Sequence, residues 1–102
     1  MRLLTKEVIK TLPKLYSTEN ETDPLATIKF FTPDANWTWY LMEYDDETQT
    51  AFGYVCGFEN ELGYFNLDEL ERVRGPLGSA VERDVSFTPT RLSELKKMHN
   101  AD

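Results

Sequence analysis

The residues best suited to chemistry are carboxylates in two turns. Asp45-Asp46-Glu47 puts three acids in one polar connection, and Glu59 and Glu61 flank Asn60 in another. Clustered carboxylates suit hard cations such as calcium or magnesium, which take oxygen ligands. Held at a fixed separation, a carboxylate pair also serves as the acid and base of a glycoside hydrolase. The spacing supports neither use. Calcium loops alternate their ligands and turn on a glycine, whereas Asp45 and Asp46 are adjacent and no glycine lies between Asp45 and Gln49. Nothing sets the separation of Glu59 from Glu61. Both clusters read first as solvated turns, and second as charge offered to a partner.

Nucleophilic chemistry fares no better. Cys56, the one cysteine, sits between Val55 and Gly57 in an apolar run, and His99, the one histidine, is the fourth residue from the chain end. Thiols in apolar runs usually pack rather than react. Ser17, Ser79, Ser86 and Ser93 lack a nucleophile-elbow context, and Gly75-Pro76-Leu77-Gly78 lacks the lysine and following helix of a phosphate loop. No catalytic residue, metal site or cofactor site is assigned.

Two further features admit two readings each. Arg83 alternates in phase with Val81, Val85 and Phe87, so its charge needs a counterpart: a carboxylate such as Glu69 or Glu71, or a bound anion. Trp37, Trp39 and Leu41 alternate with Tyr40, Met42 and Tyr44, which makes one segment apolar on both faces. Such aromatics pair across strands with Phe52 and Tyr54. Alternatively they leave Tyr40 and Tyr44 exposed in the kind of patch found at the centre of protein interfaces.

The net charge is −7, and it is unevenly spread. No basic residue lies between Lys29 and Arg72, while Asp34, Glu43, Asp45, Asp46, Glu47, Glu59, Glu61, Asp68, Glu69 and Glu71 fall in that interval. This field opposes direct DNA or RNA binding, which draws its affinity from Lys and Arg, and favours a basic partner. The start, Met1-Arg2-Leu3-Leu4-Thr5-Lys6-Glu7, is too polar for a signal peptide. No run reaches the eighteen apolar residues of a membrane span. With one cysteine and no disulfide possible within the chain, the expected location is the cytoplasm.

The elements that would carry these residues follow from periodicity. Thr5 caps a first helix on which Leu4, Val8, Leu12 and Leu15 share a face, ended by Pro13. Tyr16 to Pro24 is a polar loop. Strands are expected over Ala26 to Phe31, Trp37 to Tyr44 and Thr50 to Cys56, joined by hairpin-length connections, with a shorter fourth strand at Leu62 to Phe65. Asn66 and Glu69 make a capping-box start for a helix carrying Leu67, Leu70, Val73 and Leu77 and closed by Gly75-Pro76. Val81 to Phe87 alternates like a fifth strand. Thr88 or Thr90 caps a last helix with Leu92, Leu95 and Met98 on one face. The order α-β-β-β-β-α-β-α describes one α+β domain over residues 1–102. Its antiparallel meander of four to five strands carries about three helices on one face, and residues 99–102 are expected to fray.

The run Phe30-Phe31-Thr32-Pro33-Asp34-Ala35-Asn36-Trp37-Thr38-Trp39-Tyr40 resembles a bacterial family catalogued only as a domain of unknown function, number 2958. Leu3-Leu4-Thr5-Lys6-Glu7, Glu61-Leu62-Gly63-Tyr64-Phe65, Arg74-Gly75-Pro76-Leu77-Gly78 and Glu82-Arg83-Asp84 are similar to that family's pattern, so the likeness covers nearly the whole chain. It implies no activity. It does imply a setting on conjugative plasmids, integrated elements and phages, where small acidic proteins often act against host defences.

The leading expectation is therefore a small acidic accessory protein that binds a basic, nucleic-acid-binding protein and imitates the charge of DNA. Asp45, Asp46, Glu47, Glu59, Glu61, Tyr40 and Tyr44 would form its surface. One alternative is an enzyme or small-molecule binder whose pocket is lined by Trp37, Trp39, Tyr54 and Tyr64, with Arg83 as anion anchor. Another is a structural subunit of a larger complex.

Overall fold

Aromatic and β-branched residues between polar turns favour strands, and in the computed structural model, which describes residues 2–99, they build most of the fold. The elements are α1 (Lys6–Ile9), β1 (Leu25–Ala26), β2 (Ile28–Phe31), β3 (Thr38–Asp45), β4 (Thr50–Cys56), β5 (Asn60–Asn66), α2 (Leu67–Leu70), β6 (Glu82–Arg83), β7 (Thr90–Arg91) and α3 (Leu92–His99). Five strands form an antiparallel sheet in the order β5-β4-β3-β2-β6, and β1 pairs with β7 in a two-stranded ladder. The architecture is α+β, as the sequence leads one to expect. No helix among the described residues is long and apolar enough to cross a membrane.

The helices cover both faces of the sheet rather than one. Leu41, Trp39, Phe30, Tyr44 and Ala51 pack under Leu3, Leu4, α2 and Val81. On the opposite face Tyr40, Met42, Tyr54 and Cys56 pack with Ala26 and with Leu92 and Leu95 of α3. A central strand buried on both sides must be apolar on both sides, which accounts for the composition of β3. A β-bulge sits between Leu41, opposite Gly53, and Glu43, opposite Phe52. The extra residue resets the alternation, so Tyr44 joins the tryptophan face rather than the face of Tyr40 and Met42.

The helices are shorter than periodicity suggests. Thr5 caps α1 through the Val8 N–H, and Asn66 caps α2 by accepting from the Glu69 N–H at 3.1 Å. Yet α2 stops after one turn, and Val73 and Leu77 of the expected helical face lie exposed. The segment from Val81 to Phe87 is strand only at Glu82–Arg83; Val81 is buried but Val85 is exposed. No threonine near residue 88 caps α3. Asp23 does, accepting from the Ser93 N–H at 2.8 Å and the Ser93 hydroxyl at 2.7 Å, while the Pro24 carbonyl takes the Leu92 N–H. His99 is the last residue of α3; of the segment expected to fray, residues 100–102 lie outside the described residues.

A candidate docking groove at one end of the sheet

A tight turn at the start of β3 builds one wall of the groove. The Thr32 N–H donates to the Trp37 carbonyl at 3.1 Å, and the Ala35 N–H donates to the Thr32 carbonyl at 3.3 Å. This turn aims the Asp34 carboxylate away from the sheet, where its Oδ2 accepts the Leu77 N–H at 2.8 Å and the Ser79 N–H at 3.3 Å. The loop around Gly75 closes on itself: the Gly75 N–H donates to Ser79, the Gly78 N–H to Gly75, and Arg74 bridges to Ala80. A Cβ at Gly75 would fall on the Asp34 carboxylate, so any side chain there must displace it. Two of the segments that carry the resemblance, Phe30 to Tyr40 and Arg74 to Gly78, are thus held together.

Between them runs a cavity of about 410 Å³, with Thr32, Ala35, Trp37 and Trp39 on one side and Val73, Arg74, Gly75 and Pro76 on the other. Trp37 stacks on Trp39 with ring centroids 5.9 Å apart and takes the edge of Phe58 at 5.4 Å. A side chain at Gly57 would collide with the Trp37 ring. Phe58 is 94% exposed and Leu77 87% exposed. Glu59 follows Phe58 in the β4–β5 turn, and both Glu59 and Glu61 are exposed beside this end. The groove is apolar and aromatic, with carboxylates near its rim; Arg74 is part of its lining, and its guanidinium donates to the Glu71 and Val73 carbonyls at 3.1 and 2.9 Å.

The other residues singled out from sequence do not assemble into one site. Asp45, Asp46 and Glu47 lie in the β3–β4 turn, whereas Glu59 and Glu61 lie at the β4–β5 turn, one strand length away. The five acids therefore occupy opposite ends of the sheet and form no single face. Asp45 is partly used in its own turn, accepting from the Glu47 N–H at 3.2 Å and the Thr48 hydroxyl at 2.8 Å. A cavity of about 540 Å³ beside this turn is lined by Lys10 and Lys14 as well as Asp46 and Glu47, so local cations offset its charge.

Tyr40 and Tyr44 are buried and cannot form an exposed patch. They occupy opposite sides of the sheet: Tyr40 stacks on Tyr54, and Tyr44 packs beneath the N-terminal segment. The pocket expected from Trp37, Trp39, Tyr54 and Tyr64 divides for the same reason. Trp37 and Trp39 belong to the groove face, whereas Tyr54 is buried on the other and Tyr64 lies exposed there against Phe52. Arg83 continues the cross-strand row Glu61, Val55, Trp39, Phe30, Arg83 at its far end, two strands from Trp39. It is half-buried, lines a separate cavity of about 430 Å³ with Arg2, and makes no ion pair with Glu69 or Glu71. The Glu71 carboxylate instead accepts the Leu3 N–H at 2.7 Å.

Sequence reasoning missed three acceptors. Glu43 is buried and takes the Tyr16 N–H at 2.7 Å, the Thr18 N–H at 2.9 Å and the Thr18 hydroxyl, fastening the Tyr16 to Pro24 loop to the sheet. Asp34 fastens the Arg74 to Gly78 loop and Asp23 fastens α3. Each holds a segment at least 25 residues away in sequence, and no local pattern encodes such a partner. The one available signal was Glu43 within the run Trp39 to Tyr44, otherwise apolar.

Burial pushes the Cys56 thiol up to about 11, so it is protonated near neutral pH. His99 Nε2 lies 2.6 Å from the Tyr40 hydroxyl, whose pKa burial pushes up to about 12. Burial and the nearby Lys29 charge hold the imidazole below its ordinary value. These groups make a packed polar contact beneath α3 rather than an activated nucleophile. Among the described residues no cluster of three or more His, Cys, Asp and Glu is arranged to hold a metal ion.

Residues 3–101 match the family model described as protein of unknown function (DUF2958). No curated protein and no solved structure matches the chain.

Proposed function

Because the chain belongs to the family described as protein of unknown function (DUF2958), which carries no activity to transfer, we propose from the geometry that it is a protein-binding module that docks its partner at the Trp37 groove. The observation behind this is the meeting of Trp37, Trp39, exposed Phe58 and Arg74 around one cavity at the end of the sheet. Tryptophan and arginine dominate binding hot spots, where a few well-packed side chains supply most of the affinity. Exposed apolar surface of this kind marks interaction sites in soluble domains.

The partner in this reading presents an apolar side chain for the groove and cationic residues around it. The net charge of −7, with Glu59 and Glu61 near the rim, steers such a surface into place and disfavours acidic competitors. A nucleic-acid-binding protein, including a nuclease or repressor of host defence, has that chemistry, and occupying its basic surface would make this chain a modulator. Division of the acids between two ends weakens a DNA-like array, so the groove carries the reading.

The test is affinity capture from cells that encode the protein. Capture by wild type should be lost with Trp37→Ala and retained when Asp45, Asp46 and Glu47 are reversed to lysine. Loss with the reversed turn and retention with Trp37→Ala would move the site to the other end.

A further inference from the structure

Strand β5 ends the five-stranded sheet, paired with β4 on one side and with no described strand on the other. In an antiparallel edge strand, alternate residues turn both N–H and C=O outward. From Glu61 to Phe65 these groups form a template for another strand. Proteins usually block such an edge with proline, lysine, a bulge or brevity. β6, at the opposite edge, is only two residues long. β5 has none of these protections: it is seven residues long, holds no proline or lysine, and pairs with β4 without a register shift. At its centre, Gly63 has nothing within 4 Å of where a Cβ would stand.

The flanking side chains specify what would fit. Leu62 and Tyr64 share one face and are 43% and 57% exposed. Beyond them a concavity of about 340 Å³ is lined by Glu19 and Glu21. Glu61 stands on the other face, exposed and without an ion pair among the described residues. A strand laid along β5 would set alternate residues beside Leu62 and Tyr64 and the intervening ones beside Glu61.

We propose that the β5 edge takes up an extended segment of a partner protein in which apolar residues alternate with lysine or arginine. Backbone pairing supplies affinity and the alternate side chains supply specificity. Charge selects this occupant over a second copy, because self-pairing would bring together two chains each of net charge −7. The surface shares the charge of Glu61 with the rim of the Trp37 groove but none of the groove's lining, so Trp37→Ala and the N-methylated peptide separate the two proposals.

The test uses synthetic peptides of alternating lysine and valine with the full chain. The Lys-Val peptide should bind saturably, with NMR hydrogen exchange of the outward amides between Glu61 and Phe65 slowed by about tenfold or more. A Glu-Val peptide should bind at least about tenfold more weakly. N-methylation along one edge of the Lys-Val peptide should abolish binding while keeping its charge. Glu61→Lys should weaken Lys-Val binding without changing the circular dichroism spectrum. Equal binding of the N-methylated peptide would reduce the effect to charge alone and overturn the proposal. So would β5 amides already protected in a concentration-dependent dimer.

Discussion

Glu43 is 4% exposed, yet its carboxylate is fully employed by the backbone N–H groups of Tyr16 and Thr18 and the Thr18 hydroxyl. Replacing it with alanine orphans donors of the Tyr16 to Pro24 loop, which costs on the order of 2 kcal/mol. Urea unfolding of Glu43→Ala should read that loss. Cys56 offers a second residue-scale check. With its thiol at about 11, native Cys56 should react with a thiol reagent near pH 8 about a hundredfold more slowly than in the unfolded chain, with burial slowing it further. His99 offers a third, through pH. Its imidazole is held below 6.5 by burial and Lys29, so the unfolded chain binds the extra proton first. The stability linked to His99 is present above about 6.5 and lost as pH falls through the lowered folded value. Wild-type melting temperature should therefore fall more steeply between pH ~7.5 and ~5.5 than that of His99→Gln. Residue types revealed the burial of Leu92, Leu95 and Cys56 but not the exposure of Leu77, Val85 and Met98. They did not reveal which acids serve as acceptors, because the accepted N–H groups come from distant loops.

The strands were largely legible because β3 and β4 carry aromatic and β-branched runs between polar turns. Of the three caps read from local pattern, Thr5 and Asn66 perform as caps, whereas Thr88 or Thr90 gives way to Asp23. Legibility failed where tertiary contacts override periodicity. Val73 and Leu77 continue the spacing of Leu67 and Leu70, but the chain leaves the helix so that Gly75 can meet Asp34. The last helix is capped by Asp23, 70 residues from Ser93. Asp23→Ala should accordingly loosen α3 while sparing β3 and β4, visible as faster amide exchange confined to residues 92–99. The backbone hydrogen bond from Ser93, aided by its hydroxyl, lowers the Asp23 pKa. That contribution holds above the ordinary carboxylate value and disappears on acidification through the lowered one. Asp34→Ala should free the Arg74 to Gly78 loop, collapsing the groove with little change in the sheet.

At the scale of the whole molecule, charge and shape lead to different ends. The acidic interval from Asp34 to Glu71 is continuous in sequence, but the fold distributes it: Asp34 and Glu43 serve internal loops, Asp45 to Glu47 lie beside Lys10 and Lys14, and only Glu59 and Glu61 stand near the aromatic groove. The groove itself was half legible. Trp37 and Trp39 stood out, but Val73, Arg74 and Pro76 come to them from 34 or more residues away, held in part by Asp34. Docking at this end is tested most directly by a photo-crosslinking amino acid placed in turn at Phe58, Leu77, Val85 and Met98, all exposed, in cells that encode the protein. The account predicts one discrete adduct of the same mass from Phe58 and Leu77 and none from Val85 or Met98. An adduct from Val85 or Met98 with none from Phe58 and Leu77 would contradict it.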